Sequence, residues 1–221
     1  MSSIEQNTQI RFETVFRLYF TIIDKHPSQR KSSNAKAKAK IKEYLKQYFI
    51  EYKENNYNGT ERIIMVFRGC NNCPNKILEG CIYFCEKFME CRVYYTQAAA
   101  ELCGKSNHIM EFMRLLNYIS ASVWPRVNEN FSGEIYSPAS LYTPRIYMTE
   151  DGFHDITLTA QIAYEIFELA PLETLDFITA SCPELMDALS TPIFMLLLGN
   201  LPLDDAIEYI KTNILNMNTE D

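Results

Sequence analysis

The chain has 221 residues, which is long enough to bury a hydrophobic core without disulfide bonds. Hydrophobic residues make up 47% of it, and seven glycines and nine prolines leave little room for a many-turned β-sandwich or a glycine-rich phosphate loop. The net charge of −7 is uneven: residues 1–149 carry 20 basic and 14 acidic residues, and residues 150–221 carry one basic and 14 acidic residues. This asymmetry argues against a protein that coats nucleic acid, so we expect no nucleic-acid partner.

Two predicted helices form an N-terminal helical arm over residues 1–56. Large apolar residues recur at helical spacing over residues 8–24. The alanines and lysines of residues 35–55 have high helix propensity, and the aromatic residues among them form an apolar stripe. Ser33 or Asn34 is the predicted N-cap of this second helix.

A β-α-β unit is predicted next in the chain. Residues 62–67, RIIMVF, have the character of a buried strand and lead directly into Cys70-Asn-Asn-Cys73. We expect a helix over about 71–90 and a second strand over 92–95. If the two strands are parallel, the crossover between them must be right-handed.

The C-terminal half alternates short apolar runs with breakers, and its last third is acidic. The predicted elements are a helix over 96–104 closed by Gly104, a helix over 108–123, a β-hairpin over 143–158 with an Asp-Gly turn, and a helix over 159–170. An acidic helical extension follows over 171–221, with helices starting near Pro171, Pro183 and Pro202.

The Cys70/Cys73 pair is the strongest chemical signal in the sequence. The thiolate is the reactive form of cysteine, and a thiol at a helix N-terminus has its pKa lowered by backbone N–H groups and the helix dipole. In a predicted strand-to-helix junction, Cys70 would attack a disulfide, and Cys73, one turn away, would resolve the mixed disulfide.

The order strand, Cys-x-x-Cys, helix, strand, followed later by Thr143-Pro144 at the start of a hairpin strand, resembles the thioredoxin-like fold. The resemblance covers roughly residues 60–170 and implies an α/β, helix-rich protein with a thioredoxin-like core between the helical arm and the acidic extension. It also implies that Pro144 is a cis-proline beside the cysteines and that Thr143 pairs through its backbone with an extended substrate. Thiol-disulfide oxidoreductase activity is the function that this resemblance implies.

A zinc site is the alternative use of the cysteines. Cys70, Cys73, Cys81 and Cys85 provide four thiols within 16 residues. If a helix starts at Cys70, Cys81 lies about 16 Å along its axis and cannot share a metal with Cys70. If residues 70–78 form a knuckle instead, all four thiols can converge. Without a metal, Cys81, Cys85 and Cys91 are predicted to be core residues, and the same interpretation applies to Cys103 and Cys182.

The sequence therefore predicts a thiol-disulfide oxidoreductase or thioredoxin-like redox protein that needs no cofactor. The alternative is a non-enzymatic helical interaction protein with structural cysteines, with or without zinc. The expected partners are a protein thiol or disulfide substrate and a protein that contacts the acidic C-terminal helices. The sequence shows no secretory signal and no apolar run long enough to span a bilayer, so we expect a cytoplasmic location without membrane insertion.

Overall fold

A six-stranded antiparallel sheet organises the part of the chain that the structure describes. The structure is a computed structural model that describes residues 27–123, 142, 144–149 and 153–215. The strands are β1 (Tyr52–Tyr57), β2 (Thr60–Arg68), β3 (Ile77–Phe84), β4 (Phe88–Tyr95), β5 (Arg145–Met148) and β6 (Ile156–Ala163). Their order in the sheet is β1-β2-β3-β4-β6-β5, and all neighbours are antiparallel.

Helices pack on the sheet and bury its apolar side chains in one hydrophobic cluster. They are α1 (Pro27–Gln47), α2 (Gln97–Lys105), α3 (Ile109–Ser122), α4 (Tyr164–Leu169), α5 (Pro171–Asp176), α6 (Cys182–Leu197) and α7 (Leu203–Asn213). A π-helical turn, Phe177–Ser181, joins α5 to α6. Contacts of α6 with β4 and of α3 with β5 connect the two layers.

The helix predicted over 71–90 is wrong, because β3 and the first residues of β4 lie there. In β4, buried and half-buried residues alternate along the whole strand, which is the period-2 pattern of a strand with one face in the core. In β3, Leu78 and Ile82 face the core on alternate positions, and the strand pairs with β2 and β4. The local connection is therefore an antiparallel meander and not a β-α-β crossover.

The second helix of the predicted N-terminal arm has different ends in the structure. Helix α1 starts at Pro27, so Ser33 and Asn34 are inside it and do not cap it. It ends at Gln47, and Phe49 follows with a left-handed φ of 56°. The Ile50 N–H donates to Leu45 O at 2.9 Å, which is the hydrogen bond of a Schellman C-cap.

Several other predicted elements are confirmed. The strand at 62–67 is part of β2, the helices at 96–104 and 108–123 correspond to α2 and α3, and β5 and β6 pair as the two hairpin strands. Two details differ: α2 continues through Gly104, and β6 extends to Ala163 before α4 begins. Three helical segments near Pro171, Pro183 and Pro202 form the C-terminal part.

Other predictions fall outside the described residues: the helix over 8–24, the hairpin turn at 150–152 and Thr143. The fold is mixed α/β, as predicted, but its antiparallel sheet does not identify a thioredoxin-like core. Within the described ranges, no helix combines the length and apolar character needed to cross a membrane.

Candidate functional site

Cys70 and Cys73 lie in the loop that connects β2 to β3, beyond the last cross-strand pair, Arg68 with Ile77. The backbone of this loop is left-handed at Gly69 (φ 81°), at Asn75 (φ 59°) and at Lys76 (φ 58°). Glycine and asparagine adopt this conformation readily, whereas lysine there costs about 1–3 kcal/mol. The loop is therefore held in shape by contacts with the rest of the protein, and α6 provides the main ones.

The carboxylate of Asp187, on α6, fixes the turn that carries the two cysteines. Its Oδ1 accepts hydrogen bonds from the backbone N–H groups of Asn72 and Cys73, each at 2.8 Å, and its Oδ2 accepts from the Asn71 N–H at 2.9 Å. Burial alone would raise the pKa of Asp187, but these backbone hydrogen bonds lower it below its usual range. Asp187 is therefore ionised at neutral pH and bound to three consecutive N–H groups.

Tyr95, at the end of β4, anchors α6 in the position that this contact requires. Its hydroxyl donates to Met186 O at 2.5 Å and accepts from Ser190 Oγ at 3.2 Å. The Tyr95 ring also packs edge-to-face on Phe194, with centroids 4.9 Å apart. Met186 directly precedes Asp187 in the chain. The hydrogen bond from the buried Tyr95 to Met186 therefore fixes the position of α6 at Asp187, the residue that binds the loop.

The two thiols are close together but have different environments. The ligand atoms of Cys70, Cys73 and Asp187 lie within 4.8 Å of one another. Cys73 is 3% exposed, and its Sγ contacts Ile77 O at 3.4 Å. Burial, followed by the Cys70 thiol and the Asp187 carboxylate, raises the pKa of Cys73 to about 12. Cys70 is half-buried, and its Sγ contacts Phe67 O at 3.8 Å. Both thiols are free.

An open cleft with a volume of about 500 Å³ lies beside Cys70. Its walls include Asn71 and Asp187 on the loop side, and its apolar lining and charged rim come from β2, from the residues before β1 and from the start of α6. The lining includes Phe49, which is 93% exposed and has a strained left-handed backbone. The cleft gives a molecule in solution access to Cys70, whereas Cys73 lies behind it in the core.

The structure separates the four thiols of the alternative zinc site. Cys81 lies four residues beyond Ile77 in β3, about 14 Å along the strand at about 3.4 Å per residue, and Cys85 lies beyond the end of the same strand. Cys81 is 1% exposed, and burial raises the pKa of Cys81 and of Cys85. Among the described residues, the cysteines that approach a third metal ligand are Cys70 and Cys73, and that ligand is Asp187.

Of the two other predicted site residues, Pro144 is described, and it lies next to the opposite edge of the sheet. Pro144 is buried and directly precedes β5, an edge strand separated from β2 by β3, β4 and β6. Four strand spacings of about 4.8 Å place β5 about 19 Å from β2. Thr143, and with it the Thr143–Pro144 peptide bond, lies outside the described residues. Pro144 is thus not among the residues that line the cleft beside Cys70.

Asp187 is the residue that the sequence analysis missed. It lies 114 residues after Cys73 in a helix of the acidic extension, and no local spacing connects it to the cysteines. The one available signal is its position between the buried residues Met186 and Leu189, because an acidic residue near the core-facing side of a helix requires a partner. Comparison of the chain with protein-family models, with curated proteins and with solved structures finds no match.

Proposed function

We propose that the protein is a dithiol redox protein that exchanges thiols with a disulfide in a protein substrate. The observation that carries this proposal is the placement of two free thiols within 4.8 Å of each other, one beside an open cleft and one buried behind it. Cys70 is the attacking thiol because it lines the cleft, and Cys73 is the resolving thiol. The roles that the thioredoxin-like resemblance implies for Thr143 and Pro144 are not required.

The exchange proceeds in two balanced steps. The Cys70 thiolate attacks one sulfur of the substrate disulfide, and the other substrate sulfur leaves as a thiolate that takes up a proton. The Cys73 thiolate then attacks the sulfur of Cys70 and displaces the second substrate thiolate. The substrate gains two electrons as two thiols, and the protein loses two electrons as a Cys70–Cys73 disulfide.

The environment of Cys73 controls the order of these steps. After burial, the largest causes of its raised pKa are the hydrogen bond with Cys70 and the charge of Cys70. A mixed disulfide on Cys70 removes both, because the sulfur then carries neither a proton nor a negative charge. Cys73 therefore becomes more acidic only after a substrate is bound covalently, which keeps it from competing with Cys70 for the first attack.

The cleft provides the substrate-binding surface of this proposal. Its apolar residues Phe49, Ile50 and Phe67 offer contact area for a side chain of the substrate, and its rim carries the exposed pair Arg68–Glu51, joined at 3.3 Å. An exposed ion pair of this kind contributes little stability and can be rearranged by a bound segment. This combination suits a polypeptide segment better than a small ionic molecule.

The proposal is tested by equilibrating the protein with mixtures of reduced and oxidised glutathione and mapping disulfides by mass spectrometry. We expect a Cys70–Cys73 disulfide that forms reversibly in a single two-electron transition, and reduction of a peptide disulfide by the dithiol form. Cys85→Ser is the matched control, because it removes a half-buried thiol outside the loop and should leave both results unchanged.

A protein that stays fully reduced in oxidised glutathione would contradict the proposal, as would a disulfide that involves Cys81, Cys91 or Cys182. Either result would favour the alternative of structural cysteines. Cys70→Ser should abolish exchange, and Cys73→Ser should trap a mixed disulfide between Cys70 and the substrate peptide.

A further inference from the structure

The reduced loop also presents a set of ligands for a metal ion. Within the described residues, Cys70, Cys73 and Asp187 form the one group of three cysteine, histidine or acidic side chains whose ligand atoms all lie within 4.8 Å of one another. Around a tetrahedral zinc with Zn–S near 2.3 Å, two sulfurs are about 3.8 Å apart. Convergence of the two sulfurs on a metal therefore requires their separation to shrink by about 1 Å at most, between the half-buried Cys70 and the buried Cys73.

The hydrogen bonds of Asp187 leave one of its oxygen atoms able to bind a metal. Oδ1 uses both lone-pair directions for the N–H groups of Asn72 and Cys73 at 2.8 Å. Oδ2 accepts one short bond, from the Asn71 N–H at 2.9 Å, and one long bond, from Asn72 Nδ2 at 3.4 Å. The long bond can be exchanged for a metal ion while the three backbone hydrogen bonds that shape the loop remain.

The backbone hydrogen bonds to Asp187 also provide the supporting contacts that orient a ligand in a metal centre. Carboxylates that bind metals are themselves usually held by hydrogen bonds, which fix their orientation. Cys70, Asn71 and Asp187 all line the open cleft, so a fourth ligand, water or a group of a bound molecule, can reach the ion. Two thiolates and one carboxylate select a thiophilic divalent cation, for which zinc is the common example.

We propose that reduced Cys70 and Cys73, together with Asp187, bind one Zn²⁺ ion with an open fourth coordination position. This site differs from a four-cysteine site because Cys81 and Cys85 take no part in it. Zinc and the Cys70–Cys73 disulfide exclude each other, since both require the same sulfur electron pairs. If the proposed function is correct, zinc binding consequently protects the reduced dithiol and stops exchange.

The test is titration of the 221-residue protein, kept reduced with a phosphine, with Zn²⁺ by calorimetry and with Co²⁺ by absorption spectroscopy. We expect about one ion per chain and a thiolate-to-cobalt charge-transfer band. Cys70→Ser and Asp187→Asn should each lower zinc affinity at least about tenfold. Cys70 is half-buried, so its serine variant is expected to fold, and circular dichroism verifies this.

Two further variants give the matched controls. Cys85→Ser should bind zinc as the wild type does, whereas a four-thiol site would lose affinity in this variant. Asn72→Ala removes the long amide hydrogen bond to Asp187 Oδ2 and keeps the backbone N–H, so zinc should bind as well as in the wild type or more tightly. Absence of binding by the reduced wild type, retention of full affinity in Cys70→Ser, or loss of it in Cys85→Ser would overturn the proposal.

The metal titration and the disulfide measurement fail independently. Zinc binding is measured on protein that cannot oxidise, so it is unaffected if the pair never exchanges with a substrate. Conversely, a reversible disulfide without zinc binding would leave the redox function intact and remove the metal site. Oxidation of the wild type to the disulfide should release the bound zinc, which a chelating dye detects.

Discussion

The β2–β3 loop and the β3–β4 ladder both carry cysteines, but the surroundings of their thiol groups differ. In the loop, Cys70 and Cys73 share one turn, and an ionised carboxylate holds the backbone between them. In the ladder, Cys81 pairs with Arg92 and Cys91 pairs with Ile82, so the thiols are fixed by strand register in the interior of the sheet. Both ladder thiols are at most 5% exposed.

The difference shows that spacing along the chain is a poor guide to which thiols act together. A strand moves the chain about 3.4 Å per residue, so Cys81 is carried away from Cys73 although few residues separate them. Burial raises the pKa of Cys81 and of Cys91, and neither lines the cleft beside Cys70. We therefore propose the loop as the reactive region. Of the ladder thiols, Cys91 belongs to the hydrophobic cluster, and Cys81 is buried near Arg62 and Arg92.

The largest expected effect on stability comes from removing the carboxylate that distinguishes the loop. Asp187→Ala leaves three backbone N–H groups without their acceptor and should lower the free energy of unfolding by about 2 kcal/mol. Because the folded-state pKa of Asp187 is lowered, this contribution is present above about pH 4 and is lost as pH falls through the folded-state pKa.

Urea denaturation at neutral and at acidic pH measures this effect. The control is Glu184→Ala, one turn earlier on α6, where the side chain is exposed and a change within about 0.5 kcal/mol is expected. An Asp187→Ala variant as stable as the control would show that the carboxylate does not hold the loop.

The next effect tests whether Cys70 keeps its neighbour protonated. Cys70→Ser removes the thiol that helps to raise the pKa of Cys73 to about 12, so the pH profile of Cys73 alkylation should move to lower pH. Each unit of pKa is worth about tenfold in thiolate population at a fixed pH. Mass spectrometry measures the fraction of Cys73 that is alkylated. In the wild type, only molecules with an unmodified Cys70 are counted. An unchanged profile, equal to that of Cys85→Ser, would disprove the coupling.

A smaller effect is expected from the anchor of α6. Tyr95→Phe removes the hydroxyl that bonds Met186 O and Ser190 Oγ, and should cost about 1 kcal/mol of unfolding free energy. Thermal and urea unfolding measure it. The neighbouring Tyr94 faces the other side of the strand, so Tyr94→Phe is the matched control and should leave the Asp187–loop contacts as they are. Equal stability of the Tyr95→Phe variant and the wild type would contradict this role.

The smallest expected effect concerns the end of α1. Phe49 occupies a left-handed position that favours glycine, and its side chain is 93% exposed, so Phe49→Gly relieves strain and loses few contacts. We expect a gain of about 0.5 kcal/mol in unfolding free energy. Lys46→Gly, in the last regular turn of α1, should instead lose about 1 kcal/mol. Loss of stability in both variants would show that Phe49 makes contacts that outweigh its strain.

The sequence predicts much of the fold where periodicity is unambiguous, as in α3 and β2. It misleads at β3 and β4, because the apolar residues of ILEGCIYF and FMECRVYY fit both a helical and a strand period. The helix expected after the Cys-x-x-Cys pair then favoured the helical interpretation. The candidate site is predictable only to the level of the Cys70/Cys73 pair. Asp187 joins it through tertiary packing of α6 on Tyr95, which no local pattern contains.

The most direct test of the central claim is brief alkylation of the reduced protein at neutral pH, followed by mass mapping of all seven cysteines. The loop-versus-ladder contrast predicts that Cys70 is labelled first, at least about tenfold faster than the buried Cys73, whose raised pKa keeps it protonated. Cys81, Cys91, Cys103 and Cys182 should stay unlabelled until the protein is unfolded. Rapid labelling of Cys81 or Cys91 while Cys70 remains unmodified would contradict the assignment of thiol chemistry to the loop.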